Sequence, residues 1–194
     1  LGLLDIILGR SKPVQPNLDR LFALPAASIT IGADLGLEST GKAAVCFMPA
    51  SGAVFADIEA EVSQLLSMEA TQGQTRWSRQ RDEYGYEWVI IETPGLEELV
   101  TQVHMVNSSL QDKGFGQQLL CSVFAFQPAE GAPPGTKKTY LIYLYKRGTF
   151  YPFVPTGQEH RDNEAELRIK GVLEGELPIE QDLARWFPLW GLPL

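Results

Sequence analysis

TRWSRQRDEYGYEWVIIETPGLEELVTQVHMVNSSLQDKGFGQQLLCSVFAF, residues 75–126, passes from an alternating apolar pattern to a helical one and back. TRWSRQ and YGYEWVIIE flank Arg81-Asp-Glu, and Tyr86, Trp88 and Ile90 fall on one side of the second run. Period-two alternation on both sides of a polar turn predicts a hairpin. Leu96, Leu99, Val100, Val103, Val106 and Leu110 then recur at helical spacing, with Thr93-Pro94 as expected cap and first-turn proline and Gly114 as the stop. LLCSVFAF is a short apolar run of strand length. Upstream, KAAVCFM (42–48) reads as a strand, and Phe55, Ile58, Val62, Leu65 and Leu66 predict an amphipathic helix over 54–68. Residues 42–127 therefore read β-α-β-β-α-β, the order of the split βαβ or ferredoxin-like arrangement.

The flanks extend this core. SITI (28–31) reads as a further strand, and Asn17-Leu-Asp-Arg-Leu-Phe as a small helical segment halted by Pro25. Residues 1–9 form an apolar helix candidate, and residues 1–16 as a whole an N-terminal helix and linker. Downstream, PAEGAPPGTKK is a loop, TYLIYLYKR a strand, Arg147-Gly148 a turn and TFYPFV another strand. Asp162 or Asn163 caps a helix carrying Ala165, Ile169, Val172 and Leu173. A last helix from Pro178 would align Ile179, Leu183, Trp186, Phe187 and Trp190, making 160–194 a helical extension. The expected fold is one α+β domain over 1–194, a mainly antiparallel sheet with amphipathic helices packed on it. A type III secretion chaperone-like α+β layout is the alternative.

Composition narrows the function. Of 194 residues 44% are hydrophobic and 21% charged, with 18 Gly and 13 Pro, which is the profile of a folded domain and not of a disordered tail. No apolar run approaches the roughly 18–20 residues of a membrane span. Sixteen Lys and Arg against twenty-four Asp and Glu give a net charge of −8, which argues against duplex nucleic acid as partner. Cys46 and Cys121 lie in apolar runs and read as buried, reduced thiols. LGLLDIILGR lacks the basic n-region and small-residue cleavage site of a signal peptide, so cytoplasmic residence is expected.

Motif chemistry is sparse. Gly36-Leu-Glu-Ser-Thr-Gly-Lys42-Ala43 approaches a phosphate-binding loop, but Ala43 stands where Ser or Thr would hold magnesium, and a strand follows where a helix should open. A glycine-bounded turn between two strands is the plainer reading, with nucleotide or phosphate binding at 36–42 the alternative. Cys46, Cys121, His104 and His160 lack the spacing of a zinc site. No nucleophile elbow occurs, and His160-Arg161-Asp162 is better read as leading into a helix cap. Glu59/Glu61, Glu97/Glu98 and Glu164/Glu166 read as solvated helix faces, with Glu166 paired to Lys170. The reading is non-enzymatic, with no cofactor and no metal.

Binding features are clearer. Arg76, Arg79 and Arg81 around Trp77 protect an edge strand or meet an anionic partner. Tyr143, Tyr145, Arg147, Phe150, Tyr151 and Phe153, with Trp186 and Trp190 of the last helix, are the candidate partner-binding residues, because large aromatics with Arg are what interface centres favour. Against this stands a reading in which one strand face enters the core and the other lies under the C-terminal helices. Residues 1–12 offer a weak peripheral membrane contact. Oligomeric state is not legible.

LGLLDIILGRSKPVQPNLDRLFALP, RDEYGYEWVII, GFGQQLLCSVFAF, YLIYLYKRGTFYPFVPTG and LEGELPIEQDLARWFPLWG together resemble the bacterial PspA-associated protein family known as PspAB. The likeness runs from the first residues to the last, and the tryptophan-rich C-terminus is its most distinctive part. It implies an accessory or regulatory protein of the phage-shock, envelope-stress response, an adaptor for PspA, the coiled-coil membrane-stress effector, or for a PspA-containing complex. It transfers no reaction and no catalytic residues. A secretion-chaperone-like holdase remains as a further class.

Overall fold

A computed structural model describes residues 17–49, 60, 64, 75–157 and 159–194. The expected helix at 1–9 lies outside the described residues, and of the one expected at 54–68 only residues 60 and 64 are described, both helical. A 3-10 turn, Asp19–Phe22, runs directly into helix α1, Ala23–Ala26, so Pro25 does not halt the segment. Proline in a first turn lacks only an N–H that would have no partner there. Helix α2, Ser28–Leu35, replaces the strand expected at 28–31. The β-branched residues favour a strand only locally. Ile31 and Leu35, four apart, are buried together, and that packing outweighs propensity. Gly36 ends α2 in the left-handed conformation at φ 64°.

Strand β1, Leu37–Phe47, follows at once, so no turn between two strands exists at 36–42. Instead the pairing of β1 slips between Ser39 and Ala43. Gly41 sits there at φ 72°, where a Cβ would come within 2.6 Å of the Thr93 carbonyl oxygen. Only glycine fits that bulge without strain. The predicted hairpin is β2, Arg76–Arg81, with β3, Glu87–Glu92. Helix α3, Leu96–Leu110, buries Leu99, Val100, Val103, Val106 and Leu110, and the chain leaves it through a wider turn in which Gly114 takes φ 87°. Its N-cap is Gly95 and not Thr93, whose own N–H is taken by the Gly41 carbonyl at 2.9 Å.

Strands β4, Leu119–Pro128, β5, Thr139–Leu144, and β6, Thr149–Phe153, complete a six-stranded sheet in the order β2-β3-β1-β4-β5-β6, each pair antiparallel. The class is α+β. A short hairpin, β7 (Pro155–Gly157) with β8 (His160–Arg161), leads to helix α4, Asn163–Leu173. Asp162 caps α4 by accepting the Ala165 N–H at 3.0 Å, as the sequence predicts.

The register sorts the sheet into two faces. Val89, Val45, Ser122, Tyr143 and Phe150 stand opposite one another in one row. Trp88, Cys46, Cys121, Leu144 and Thr149 form the next row, which points the other way. The first face lies under α3 and the segment 17–35. The second lies under residues 177–194, here called the strap.

The strap is not the helix expected from Pro178. Ile179 makes a parallel bridge to Phe150, a single 3-10 turn spans Leu183–Arg185, and the rest is irregular. Proline inside a helix costs about 3 kcal/mol, and Pro188 stands within the expected span. Two of the sheet's tyrosines hydrogen-bond to carbonyls of the strap. Tyr151 donates its hydroxyl hydrogen to the Phe187 carbonyl at 2.8 Å and Tyr140 to that of Leu194 at 3.0 Å.

Candidate functional site

Between the strap and the hairpin turn of β2 and β3, a cleft of about 580 Å³ opens onto the second face of the sheet. Cys46, Trp88, Cys121 and Tyr151 form its floor, with Leu119, Leu120 and Leu144 beside them. Tyr84 and Tyr86 line one wall, and Phe187, Pro188, Leu189 and Trp190 the other. Lys146, Arg147 and Arg185 stand at the rim.

Local chemistry fixes both walls. Asp82 organises the hairpin turn: one carboxylate oxygen accepts the N–H groups of Tyr84 (3.0 Å) and Tyr86 (2.9 Å), the other the Trp88 indole N–H at 2.8 Å. An aspartate that bonds the backbone two residues on is the usual device for such a turn. On the strap side, the Trp186 indole donates to the Glu180 carbonyl at 3.0 Å, and its ring stacks on Tyr151 at 6.1 Å between centroids. Trp190 meets Phe153 edge-on at 5.1 Å.

Charge at the rim is largely paired. Arg147 holds the Glu180 carboxylate through Nε and, at 3.1 Å, through Nη2, and Thr149 donates to the same group at 3.0 Å. Burial pushes the Glu180 carboxyl up, but the bonds from Arg147, the Asp182 N–H and Thr149 hold it below the ordinary value. Arg185 pairs with Asp182 at 3.1 Å. Lys146 is exposed and makes no ion pair among the described residues.

The eight predicted binding residues divide. Tyr143, Tyr145 and Phe150 are fully buried on the helix face and cannot meet a partner as the chain stands. Tyr143 donates to the Asn17 carbonyl at 2.6 Å, and Tyr145 shares hydrogen bonds with Asn107 of α3 and Ser122 of β4. Burial pushes both phenols up. Phe153 is buried beneath the strap, and Trp186 is a strap residue buried against the sheet. Arg147, Tyr151 and Trp190 line the cleft, though Tyr151 is only 1% exposed. Strand alternation explains the split: half of the aromatics had to face α3, and the strap covers most of the others. Sequence reasoning passed over Tyr84 and placed Phe187 on the last helix without singling it out; they are 72% and 57% exposed. Their signal was position, a turn tip and a Phe-Pro step.

Elsewhere the expected alternatives take ordinary structural roles. Lys42 pairs with Glu92 at 3.0 Å, and strand continues after it, so no helix N-terminus faces an anion at 36–42. Arg79 and Arg81 clasp Glu87 of the neighbouring strand, each at 2.9 Å, on the sheet edge. Glu166 is not a solvated partner of Lys170. It is buried, accepts the Val154 N–H at 2.8 Å and holds Arg161 through both oxygens, while Lys170 pairs with Glu174. Burial pushes the Glu166 carboxyl up against those bonds. Among the described residues no group of three or more His, Cys, Asp or Glu side chains is placed to hold a metal ion, and no helix is long and apolar enough to cross a membrane.

A family model described as PspA associated protein B matches residues 1–194, the whole chain. The chain belongs to that family. No curated protein and no solved structure matches it.

Proposed function

We propose that this member of the PspA associated protein B family is a non-enzymatic accessory protein that binds PspA through the strap-face cleft, on the cytoplasmic side of the membrane. The observation that carries the reading is the cleft itself. Its apolar floor and walls end at Lys146, a cation with no ion pair among the described residues, on a chain whose overall charge is −8. That combination suits a segment of PspA that offers apolar side chains flanked by a carboxylate. Long-range charge would repel an acidic partner, and the local cation selects where such a segment can dock. Phe187, Tyr84 and Trp190 supply the aromatic contacts that interface centres favour.

The test is a titration of purified chain with PspA, read by tryptophan fluorescence, since Trp88 and Trp190 both line the cleft. Phe187→Ala and Lys146→Glu are each expected to weaken binding at least about tenfold, roughly 1.4 kcal/mol, while Ile29→Ala on the opposite, exposed side of α2 leaves it unchanged. Unchanged affinity in folded Phe187→Ala and Lys146→Glu chains would remove the cleft as the docking site.

A further inference from the structure

We propose that Cys46 and Cys121 form a dithiol site in the cleft floor that closes to an intrachain disulfide on reaction with a small disulfide oxidant. The two residues stand directly opposite each other on β1 and β4, in the row that faces the cleft. Directly opposed residues of antiparallel strands have Cα atoms roughly 4.5–5.5 Å apart, within the roughly 4.4–6.8 Å that a disulfide spans. Both side chains therefore leave the sheet in the same direction, side by side on the cleft face. Both are free thiols, and both line the cavity through which a small oxidant would arrive. The register of β1 and β4 breaks between Cys46 and Phe47, at the end of β1. The strand can adjust there to the geometry of a bond without disturbing the central pairing.

The electron count closes. The thiolate of one cysteine attacks the oxidant's S–S bond, forms a mixed disulfide and expels one small thiolate. The second cysteine's thiolate attacks the protein sulfur of that mixed disulfide, the cross-strand S–S bond forms, and the second small thiolate leaves. Two electrons pass from the cysteine pair to the oxidant, and the two thiol protons end on its two thiols. The neighbouring Cys121 thiol and, after it, burial push the Cys46 thiol up, so its thiolate is scarce near neutrality and closure is slow.

The proposal is independent of what else occupies the cleft. The full chain is incubated with oxidised glutathione, quenched in acid, unfolded, alkylated and analysed by mass spectrometry. The expected product is a monomer lighter by two hydrogens, with a peptide linking Cys46 to Cys121 and near-complete loss of alkylation at both. Cys46→Ser is expected to carry a single glutathione adduct at Cys121 and no link. A wild-type chain with two separate adducts, disulfides between chains, or full alkylation of both thiols under conditions that oxidise a reference dithiol peptide would overturn it.

Discussion

The two faces of one sheet are finished in different ways. Beneath α3 the cover is a regular helix, and Phe124, Phe150, Tyr143 and Tyr145 are sealed, with the Asn107 amide nitrogen and Ser122 hydrogen-bonded to the Tyr145 hydroxyl. Beneath residues 177–194 the cover is irregular chain, tied down by side-chain hydroxyls to its carbonyls, and a cleft remains. A helix lays a continuous apolar stripe over a sheet. An irregular strap touches it only where particular side chains reach. The same alternating strands thus build the core with one set of residues and a recess with the other, and any binding role follows the less regular cover.

The comparison can be broken most severely from the helix face. Phe124→Ala removes a fully buried ring and is expected to cost about 3–5 kcal/mol in a denaturant melt; a loss under 1 kcal/mol would show that this face is not the tighter one. Trp190→Ala, at the half-buried end of the strap, is expected to cost less, about 1–2 kcal/mol, because only part of its ring is withdrawn from water.

A pH titration of stability sharpens the same contrast on charge. Glu180 ties the strap to the turn after β5, and its carboxyl sits below the ordinary value, about 4.3 for an unperturbed glutamate. Its contribution is complete above that value and is lost as pH falls through the lower folded one. Glu180→Gln should therefore be less stable than wild type near neutrality and should lose less on acidification below about pH 4. Glu166 has the opposite sign: raised by burial, it favours folding most below the ordinary value and less as pH rises through the folded one. Acid unfolding curves of Glu166→Gln and Glu180→Gln should diverge from wild type in opposite directions; parallel curves would contradict these assignments. The smallest effect on stability belongs to Phe187→Ala, within about 0.5 kcal/mol, and thermal melts compared with PspA titrations would separate its role in the cleft from a role in the fold.

Much of this organisation was legible in the residues. Alternation in YGYEWVIIE and the helical spacing from Leu96 to Leu110 gave the hairpin and α3, because strand and helix repeat their apolar positions at different periods. The short elements were not. SITI has strand composition and becomes helix through the packing of Ile31 and Leu35, a tertiary effect. The strap carried a helical spacing of apolar residues, yet Pro188 and the hydroxyls of Tyr140 and Tyr151 decide its path, and those partners lie far away in sequence. For the site, composition marked the aromatic strands and the terminal tryptophans but could not say which residues would be sealed. That depended on which parity of β5 and β6 faced α3.

The bridge between Phe150 and Ile179 has a consequence in time. Phe150 donates its N–H to the Pro178 carbonyl and its own carbonyl accepts from Glu180, each at 2.8 Å, while the far end of the strap is held by side chains at Leu194. A cover fastened this way can detach without the six-stranded sheet unpairing, as a local opening well below the global unfolding free energy. In amide hydrogen exchange, the Phe150 and Glu180 sites should exchange together and earlier than those of β1 and β4. The lifetime of that fastening, and not the stability of the core, would then set how fast the recess admits or releases what it holds.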